Sequence, residues 1–315
     1  EDERIIKIPL MNIAKSLGNP RMANTVALGA TLKLFGINYE PATDYLNERF
    51  AEKLREGNIK ALKEGYEAVS EIYTMPKTSG EKNILINGNE ACGLGALAAG
   101  CAYYSAYPMT PSTSLMRFMA RYTEKTGIFV EQAEDEIAAI NSAIGASYAG
   151  IRAMTGTSGG GFSLMVEALG LAGVTETPLV VANVQRPGPA TGLSTRTEQS
   201  DLLFVISAAQ GEFPRMVIAL RNTEDAFYQT ARAFNLADKY QIPVILLSDE
   251  YLSDCRVTTK PYDFDKITIE RYWAEKPNYE GMFKRYEVTN DGISPRIFPS
   301  QYENVYVLAD SHEHD

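Results

Sequence analysis

The stretch that decides the fold covers residues 128–156 and reads IFVEQAEDEIAAINSAIGASYAGIRAMTG. Two short apolar runs, 128–131 and 152–156, flank a segment, 136–149, in which apolar residues recur at helical spacing. Strands that alternate with helices of this length form right-handed crossovers between parallel strands. The stretch therefore predicts one β-α-β unit of a parallel sheet.

The same alternation extends from residue 84 to about residue 247. The further predicted strands are 102–107, 179–184, 215–220 and 243–247, and the further predicted helices are 89–99, 111–125, 162–172, 199–209 and 223–239. This pattern predicts an α/β fold, a doubly wound parallel sheet covered by helices on both faces. In such folds ligands bind at the carboxyl ends of the strands.

The two ends of the chain have a different character. Residues 1 to about 75 are mainly helical in pattern, with a packed helix at 27–32 and a longer amphipathic one at 45–73. A polar linker follows at 75–82, and the periodicity vanishes after Cys255. We therefore expect boundaries at 1–78, 79–257 and 258–315, the last an extended arm leading to a further domain. The missing initial Met suggests a fragment of a longer protein.

Composition excludes several classes of function. With 45% hydrophobic and 22% charged residues the chain is globular, and its net charge of −10 argues against nucleic acid as a partner. Three widely spaced cysteines indicate a reducing, cytoplasmic location and are too few for an iron–sulfur cluster. The only histidines, His312 and His314, lie at the chain end, so we expect no histidine base or metal site in the core. No run is apolar enough to predict a membrane span.

Three consecutive acids, Glu134, Asp135 and Glu136, open the helix at 136–149. Glu136 precedes Ile140 by one turn, on a stripe predicted to be buried and to include Ile137. A carboxylate on that stripe is desolvated, which favours its protonated form. The alternative is that all three acids remain in water and complement the helix dipole.

Three strand-to-helix loops are candidates for binding. In the first, Thr110 fits a helix N-cap and Pro111 the first helical position, which leaves backbone N–H groups free for an anion. The glycines of the second, residues 155–161, permit close approach of a ligand or of neighbouring backbone, although the spacing of a phosphate-binding loop is absent. In the third, Arg186 leaves a buried strand and is suited to bidentate capture of a carboxylate. A structural pair of Arg186 with a nearby acid, such as Glu198 or Asp201, is the alternative.

Several of these motifs occur together in a recognisable order. The runs ILINGNEAC (84–92), YPMTPST (107–113), EDEIAA (134–139), TSGGGFSLM (157–165) and QRPGPATG (185–192) resemble the alpha subunit of 2-oxoacid:ferredoxin oxidoreductases, most of all the 2-oxoglutarate type. The resemblance covers residues 80–315, and residues 1–75 resemble the end of a fused gamma region. It implies a thiamine diphosphate enzyme in which this chain supplies the pyrimidine-binding domain. A beta subunit would supply the magnesium and diphosphate site and a 4Fe–4S cluster.

The resemblance also implies roles for individual residues. Glu136 matches the glutamate that hydrogen-bonds the aminopyrimidine ring and starts the proton transfer that activates the cofactor. Thr110 and Arg186 match residues that hold the 2-oxoacid carboxylate, and Tyr107 and Pro108 match positions beside the cofactor ring. No metal ligand is expected in this chain. The implied partners are the beta subunit, ferredoxin, the 2-oxoacid and coenzyme A, in an alpha–beta or alpha2–beta2 assembly.

Two alternatives stay open at this point. The same chemistry can serve pyruvate or branched-chain or aryl 2-oxoacids, because Met109 and Gly160 depart from the usual family residues, Ile and Pro, without touching the polar positions. The chain can also be a non-catalytic binding or scaffold subunit, although the presence of both Glu136 and Arg186 argues against lost turnover.

Overall fold

The computed structural model of the chain describes residues 5–76 and 80–309. The chain divides into two compact units, Glu1–Glu81 and Lys82–Asp315. The first unit is helical, as the sequence predicts. Its α-helices are α1 (Leu10–Ser16), α2 (Ala23–Leu34), α3 (Glu40–Arg49) and α4 (Glu52–Glu67), with one 3-10 turn at Pro20–Met22.

Two glycines allow α2 and α4 to pack with their backbones in close approach. A Cβ atom on Gly29 would lie 1.9 Å from the Leu62 carbonyl oxygen, and one on Gly65 would lie 2.0 Å from the Val26 carbonyl oxygen. Neither distance is possible for a real side chain, so glycine is required at both positions. The contact is the core of this unit.

The single long helix predicted at 45–73 is wrong. The chain leaves helical geometry at Phe50 and Ala51, both with ψ of 145°, and restarts at Glu52. The Phe50 carbonyl oxygen accepts from the Arg55 side chain (2.8 Å), so it is satisfied outside the helix. Beyond Glu67 the backbone is irregular, and Ile72 bonds to Leu34 at the end of α2 (3.0 Å).

The second unit contains a parallel six-stranded sheet of order β3-β2-β4-β5-β7-β6. Its strands are β2 (Tyr103–Ala106), β3 (Phe129–Gln132), β4 (Ala153–Thr157), β5 (Leu179–Gln185), β6 (Met216–Ala219) and β7 (Pro243–Asp249), after a short β1 (Ile84–Ile86). All six predicted strands are confirmed within two residues at each end. The helices are α5 (Gly88–Ala98), α6 (Thr113–Arg121), α7 (Thr123–Thr126), α8 (Glu136–Tyr148), α9 (Gly159–Leu164), α10 (Val166–Val174), α11 (Leu202–Ser207), α12 (Thr223–Tyr240) and α13 (Glu250–Asp254).

Alternate residues of the central strands enter two separate cores, which is the signature of a sheet covered on both faces. Val180 of β5 and Val244 of β7 join a core that includes residues of α5, α6 and α12. Val181 and Ile245, the next residues along the same strands, join a core that includes residues of α8, α9, α10 and α11. The predicted doubly wound α/β fold is confirmed.

Some helix boundaries differ from the prediction. The helix predicted at 111–125 begins only at Thr113 and is divided after Arg121, and the one predicted at 162–172 begins at Gly159 and is divided at Met165. The helix predicted at 199–209 is shorter, Leu202–Ser207. Caps and turns fix such boundaries, and they depend on partners distant in sequence.

The residues after Cys255 contain little regular structure, as predicted, and they pack on the sheet unit itself. The short strand β8 (Val257–Thr259) pairs antiparallel with β1, and β9 (Gly281–Met282) pairs with β10 (Val305–Tyr306). Tyr262 stacks on Phe227 of α12, with ring centroids 4.4 Å apart. The short β1–β8 pair was not predicted, because three-residue strands carry no readable periodicity.

A buried ion cluster fixes this segment to the amino edge of the sheet. Asp238 of α12 is 4% exposed and lies 2.9 Å from Arg152 and 3.2 Å from both Arg271 and Arg296. Burial lowers the pKa of the Arg296 guanidinium to about 10, opposed by the Asp238 charge. One carboxylate thus holds three arginines from separate parts of the unit.

Candidate active site at the carboxyl edge of the sheet

Because all strands of the main sheet are parallel, their carboxyl ends lie along one edge. The loop 107–112 follows β2, Glu136 opens the helix after β3, and Ser158 follows β4. Arg186 follows β5, the neighbour of β4. The order of the strands therefore places the predicted site residues on adjacent loops of the same edge.

Glu136 is the first residue of α8, and its side chain is buried. The neighbouring Asp135 caps the helix, because its carboxylate accepts from the backbone N–H of Ala138 (2.8 Å). Glu134 and Asp135 are exposed, whereas Glu136 is 3% exposed. Within residues 5–76 and 80–309, Glu136 Oε1 finds no hydrogen-bond partner. The predicted burial of one acid out of three is confirmed.

The buried stripe of α8 differs slightly from the predicted one. Glu136, Ile140 and Ile144 lie on it as expected, but Ile137 is 51% exposed. Ser147 takes a place on the stripe and donates a hydrogen bond to the Pro178 carbonyl oxygen (2.5 Å). A helix advances 100° per residue, so Ile137, next to Glu136, cannot share its face.

The glycine-rich loop packs against the Glu136 carboxyl group. A Cβ atom on Gly161 would lie 2.6 Å from Glu136 Oε1 and 2.2 Å from Thr157 Oγ1. Gly159 approaches the Asp201 carboxylate in the same way, with 2.5 Å to its Oδ2. The loop therefore makes the close approach that its glycines predict, and its neighbours include the carboxyl groups of Glu136 and Asp201.

The loop 107–112 reaches the same place from β2. Thr157 Oγ1 lies 3.8 Å from the Met109 sulfur atom, which links this loop to the Glu136 side of the site. Tyr107 is 40% exposed and Pro108 is half-buried. The predicted ring-side residues therefore lie at the accessible part of this edge.

The predicted N-cap role of Thr110 is wrong. Helix α6 begins at Thr113, and its cap position is Ser112, which makes no side-chain capping bond. Pro111 lies before the helix, with its carbonyl oxygen held by the Asn89 side-chain amide (3.0 Å). This bond, from a helix 22 residues earlier in the sequence, holds the turn outside helical geometry.

Arg186 is 8% exposed, and its Nη1 donates a hydrogen bond to the Thr110 carbonyl oxygen. No ion pair of 4.0 Å or less joins it to Glu198 or Asp201, all three being described residues. Asp201 instead accepts from the Asn183 side-chain amide (3.0 Å). Burial raises the pKa of the Asp201 carboxyl, the Asn183 bond opposes that rise, and the Glu198 charge adds to it. Arg186 is therefore not paired with either of the two acids named from the sequence.

One buried acid at this edge was missed by the sequence analysis. Glu250 follows β7 directly, is 8% exposed, and its Oε2 has no hydrogen-bond partner in the described part of the chain. The signal was present in the sequence, because Asp249 and Glu250 end an apolar run that forms a fully buried strand. Side chains at the carboxyl ends of parallel strands are candidates for ligand binding, and this applies to Asp249 and Glu250 at the end of β7 as it does to Arg186 at the end of β5.

Other features lie away from this edge or outside the described residues. A cavity of about 630 Å³ near the amino ends of β6 and β7 is lined by Phe213 and Tyr240 and by none of the predicted site residues. His312 and His314 lie outside the described residues. Across 5–76 and 80–309 there is no group of three or more His, Cys, Asp or Glu side chains placed to hold a metal ion. In the same ranges, every helix is too short or too polar to cross a lipid bilayer.

Comparison with known proteins places this geometry in context. The family model described as "Pyruvate flavodoxin/ferredoxin oxidoreductase, thiamine diP-bdg" matches residues 94–312, and one described as "Pyruvate ferredoxin/flavodoxin oxidoreductase" matches residues 1–68. The chain is 39% identical over 312 residues to the 2-oxoacid:ferredoxin oxidoreductase 1 subunit alpha of Sulfurisphaera tokodaii, covering 94% of this chain and 49% of that one. It is 43% identical over 208 residues to the 2-oxoglutarate synthase subunit KorA of Methanothermobacter thermautotrophicus, covering 66% and 54%.

A solved structure gives the same result for the fold. The 2-oxoglutarate:ferredoxin oxidoreductase from Magnetococcus marinus, with 2-oxoglutarate, coenzyme A and succinyl-CoA bound, superposes with a TM-score of 0.83 and is 37% identical. The match covers 100% of this chain and 57% of that one. The chain thus spans about half the length of the relatives it matches. The resemblance drawn from the motifs and the predicted fold type are both confirmed.

Proposed function

Because the chain belongs to the thiamine diphosphate-binding family of pyruvate flavodoxin/ferredoxin oxidoreductases, we propose that it forms the pyrimidine-binding part of an alpha subunit that oxidatively decarboxylates a 2-oxoacid. The products would be an acyl-CoA and electrons passed to ferredoxin. The proposal depends mainly on one observation at the carboxyl edge of the sheet. The Glu136 carboxyl group is buried there, and its Oε1 has no hydrogen-bond partner among the described residues.

The residues at this edge fit the aminopyrimidine end of the cofactor. A buried oxygen without a partner is costly unless a ligand supplies one, and a ring nitrogen is such a partner. Gly161 leaves room beside the Glu136 carboxyl group, and Tyr107 and Pro108 would flank the ring. When bound, thiamine diphosphate supplies a nucleophilic carbon and an electron sink for decarboxylation. Glu136 holds or accepts the proton at Oε1 that this activation requires, so no histidine base is needed.

Arg186 and Thr110 would hold the carboxylate of the 2-oxoacid. The guanidinium is fixed by its hydrogen bond to the Thr110 carbonyl oxygen, so its remaining N–H groups are pre-oriented. A planar fork of donors binds a carboxylate with two parallel hydrogen bonds. Because the bond to Thr110 uses the main chain, it leaves the hydroxyl group of Thr110, an exposed residue, to contact the substrate.

We assign 2-oxoglutarate as the first substrate to test, since relatives named for 2-oxoglutarate are among the similar proteins. Pyruvate and branched-chain or aryl 2-oxoacids are the alternatives with the same chemistry. We propose that a beta subunit carries magnesium and the 4Fe–4S cluster, since the three widely spaced cysteines here are too few for a cluster. We further propose that the chain works in an alpha–beta or alpha2–beta2 assembly.

The domain assignment is part of the same proposal. Residues 1–78 would be the end of a gamma region, 79–257 the pyrimidine-binding domain and 258–315 the arm towards a further domain. The match of residues 1–68 to a separate family model supports the first of these.

The test uses this chain co-expressed with a candidate beta subunit, supplied with coenzyme A, a viologen dye and each 2-oxoacid in turn. Glu136→Gln should lower dye reduction by about 10²- to 10⁴-fold, because the proton at Oε1 is lost. Glu134→Gln, the same change two residues earlier on an exposed side chain, is the matched control and should leave turnover unchanged.

Two results would contradict the proposal. Equal dye reduction by wild type and Glu136→Gln would remove Glu136 from the chemistry, and no turnover of any 2-oxoacid by a folded complex would favour the scaffold alternative. The chain purified alone should be colourless near 400 nm, since an absorbing cluster there would contradict its assignment to the partner.

A further inference from the structure

Glu250 is a buried acid that the proposed chemistry leaves unused. It is 8% exposed, and its Oε2 has no partner among the described residues. The neighbouring Asp249 is buried too, but its two oxygens accept from Gln199 (2.6 Å) and from the backbone N–H of Leu252 (2.9 Å). Burial without a hydrogen bond costs free energy, so the Glu250 carboxyl group calls for a separate explanation.

The sheet register places Glu250 beside Arg186. Strands β5 and β7 are adjacent and parallel, with Gln185 opposite Asp249, and Arg186 and Glu250 directly follow this last pair of the two strands. The two side chains interact electrostatically without forming an ion pair of 4.0 Å or less. Burial and the Asp254 charge raise the pKa of the Glu250 carboxyl, while Arg186 and Arg196 oppose that rise.

We propose that Glu250 is a positioning residue that acts through Arg186 and sets its affinity for the substrate carboxylate. Its negative charge offsets part of the positive potential that the guanidinium would present to the substrate carboxylate, while the bond to the Thr110 carbonyl oxygen fixes the position of the guanidinium. This inference rests on the role proposed for Arg186 in substrate binding.

Neutralising Glu250 should therefore tighten binding. Glu250→Gln keeps the shape of the side chain and removes its charge, which should lower the dissociation constant for a 2-oxoacid about three- to tenfold. A purely structural role gives the opposite sign, because disturbing a buried position loosens the site. The direction of the change thus separates the two explanations.

The matched control is Asp254→Asn. Asp254 lies in the same short helix, carries the same charge and is exposed, and it acts on Glu250 rather than on Arg186. We expect the dissociation constant of the Asp254→Asn complex for the 2-oxoacid to stay within about twofold of wild type, because the charge removed is exposed and screened by solvent.

The experiment is calorimetric titration of the alpha–beta complex with 2-oxoglutarate and with pyruvate, without coenzyme A, followed by KM and kcat with dye. The expected result is a lower dissociation constant and KM for Glu250→Gln, with kcat and the KM for coenzyme A unchanged. Unchanged or weaker binding overturns the inference, and so does equal tightening by Asp254→Asn. If the wild-type complex binds neither 2-oxoacid, the proposed function itself fails, and this inference fails with it. If the wild-type complex binds a 2-oxoacid but does not oxidise it, only the proposed catalytic function fails, and the inference about Glu250 can still be tested by binding.

Discussion

Arg186 Nη1 donates a hydrogen bond to the carbonyl oxygen of Thr110, a residue 76 positions away in sequence. The bond joins the loop after β5 to the loop after β2, across β4, which lies between the two strands. It makes the position of the guanidinium depend on a main-chain group, which no substitution of Thr110 removes. Substrate binding is therefore expected to be more sensitive to Arg186 than to Thr110.

Arg186→Lys should raise the KM for the 2-oxoacid about 10- to 100-fold while kcat changes less. Lysine keeps the charge but loses the planar fork and the fixed orientation, which amounts to about 1.5–3 kcal/mol for hydrogen bonds to a charged group. Steady-state dye reduction by the complex measures the effect. Arg117→Lys, the same change at an exposed residue of α6, should have no effect. A normal KM in Arg186→Lys would show that Arg186 does not bind the carboxylate.

Gly161→Ala should weaken thiamine diphosphate binding at least tenfold. The new methyl group would meet Thr157 Oγ1 and Glu136 Oε1, so one of these groups must move. Activity titrated against added cofactor measures the change. Gly145→Ala is the matched control, because a Cβ atom there meets nothing within 4 Å in the exposed part of α8. That variant should bind cofactor normally and gain up to about 1 kcal/mol of stability. Normal cofactor binding by Gly161→Ala would mean that the Glu136 carboxyl group has more room than the structure shows.

Asp238→Asn should destabilise the sheet unit by about 3–5 kcal/mol, because it leaves three arginines, of which Arg152 and Arg296 are buried, without their shared carboxylate. The urea midpoint of the second unit, followed by the fluorescence of Trp273, reports the loss. Trp273 is suited to this, since the Arg296 guanidinium lies 4.1 Å from its ring centroid. Asp225→Asn removes an acid that is paired with the exposed Arg221 and should shift the midpoint little. Equal shifts in both variants would mean that the Asp238 cluster adds nothing beyond a surface pair.

Cys92 and Cys101 should resist modification in the folded protein. Burial raises the pKa of the Cys92 thiol to about 11, against a Thr230 hydrogen bond, and that of Cys101 to about 12. At pH 8 neither forms the reactive thiolate to a useful extent. An aromatic disulfide reagent should therefore modify only Cys255, which is partly exposed, and all three thiols after denaturation. Rapid reaction of more than one thiol in the native state would contradict the burial of Cys92 and Cys101.

Sequence patterns predicted the sheet better than the helix ends. The central strands β5 and β7 are runs of apolar residues buried on both faces, and such runs are legible without tertiary information. The turn at Thr110 and Pro111 was predicted wrongly, since the Asn89 side chain that holds it belongs to another helix. The break at Phe50 was missed for a different reason, because the local composition around it favours a helix.

The sequence by itself determined the parallel α/β fold, because the fold follows from periodicity, which is a local property of the chain, and it indicated Glu136 as the acid on the stripe predicted to be buried. It also placed Arg186 at the end of a buried strand. Only the tertiary structure decided which groups meet. Gly161 faces the Glu136 carboxyl group, Arg186 bonds to the Thr110 carbonyl oxygen, and Glu250 lies beside Arg186. These contacts depend on strand order and register, which are set by packing between segments far apart in the chain.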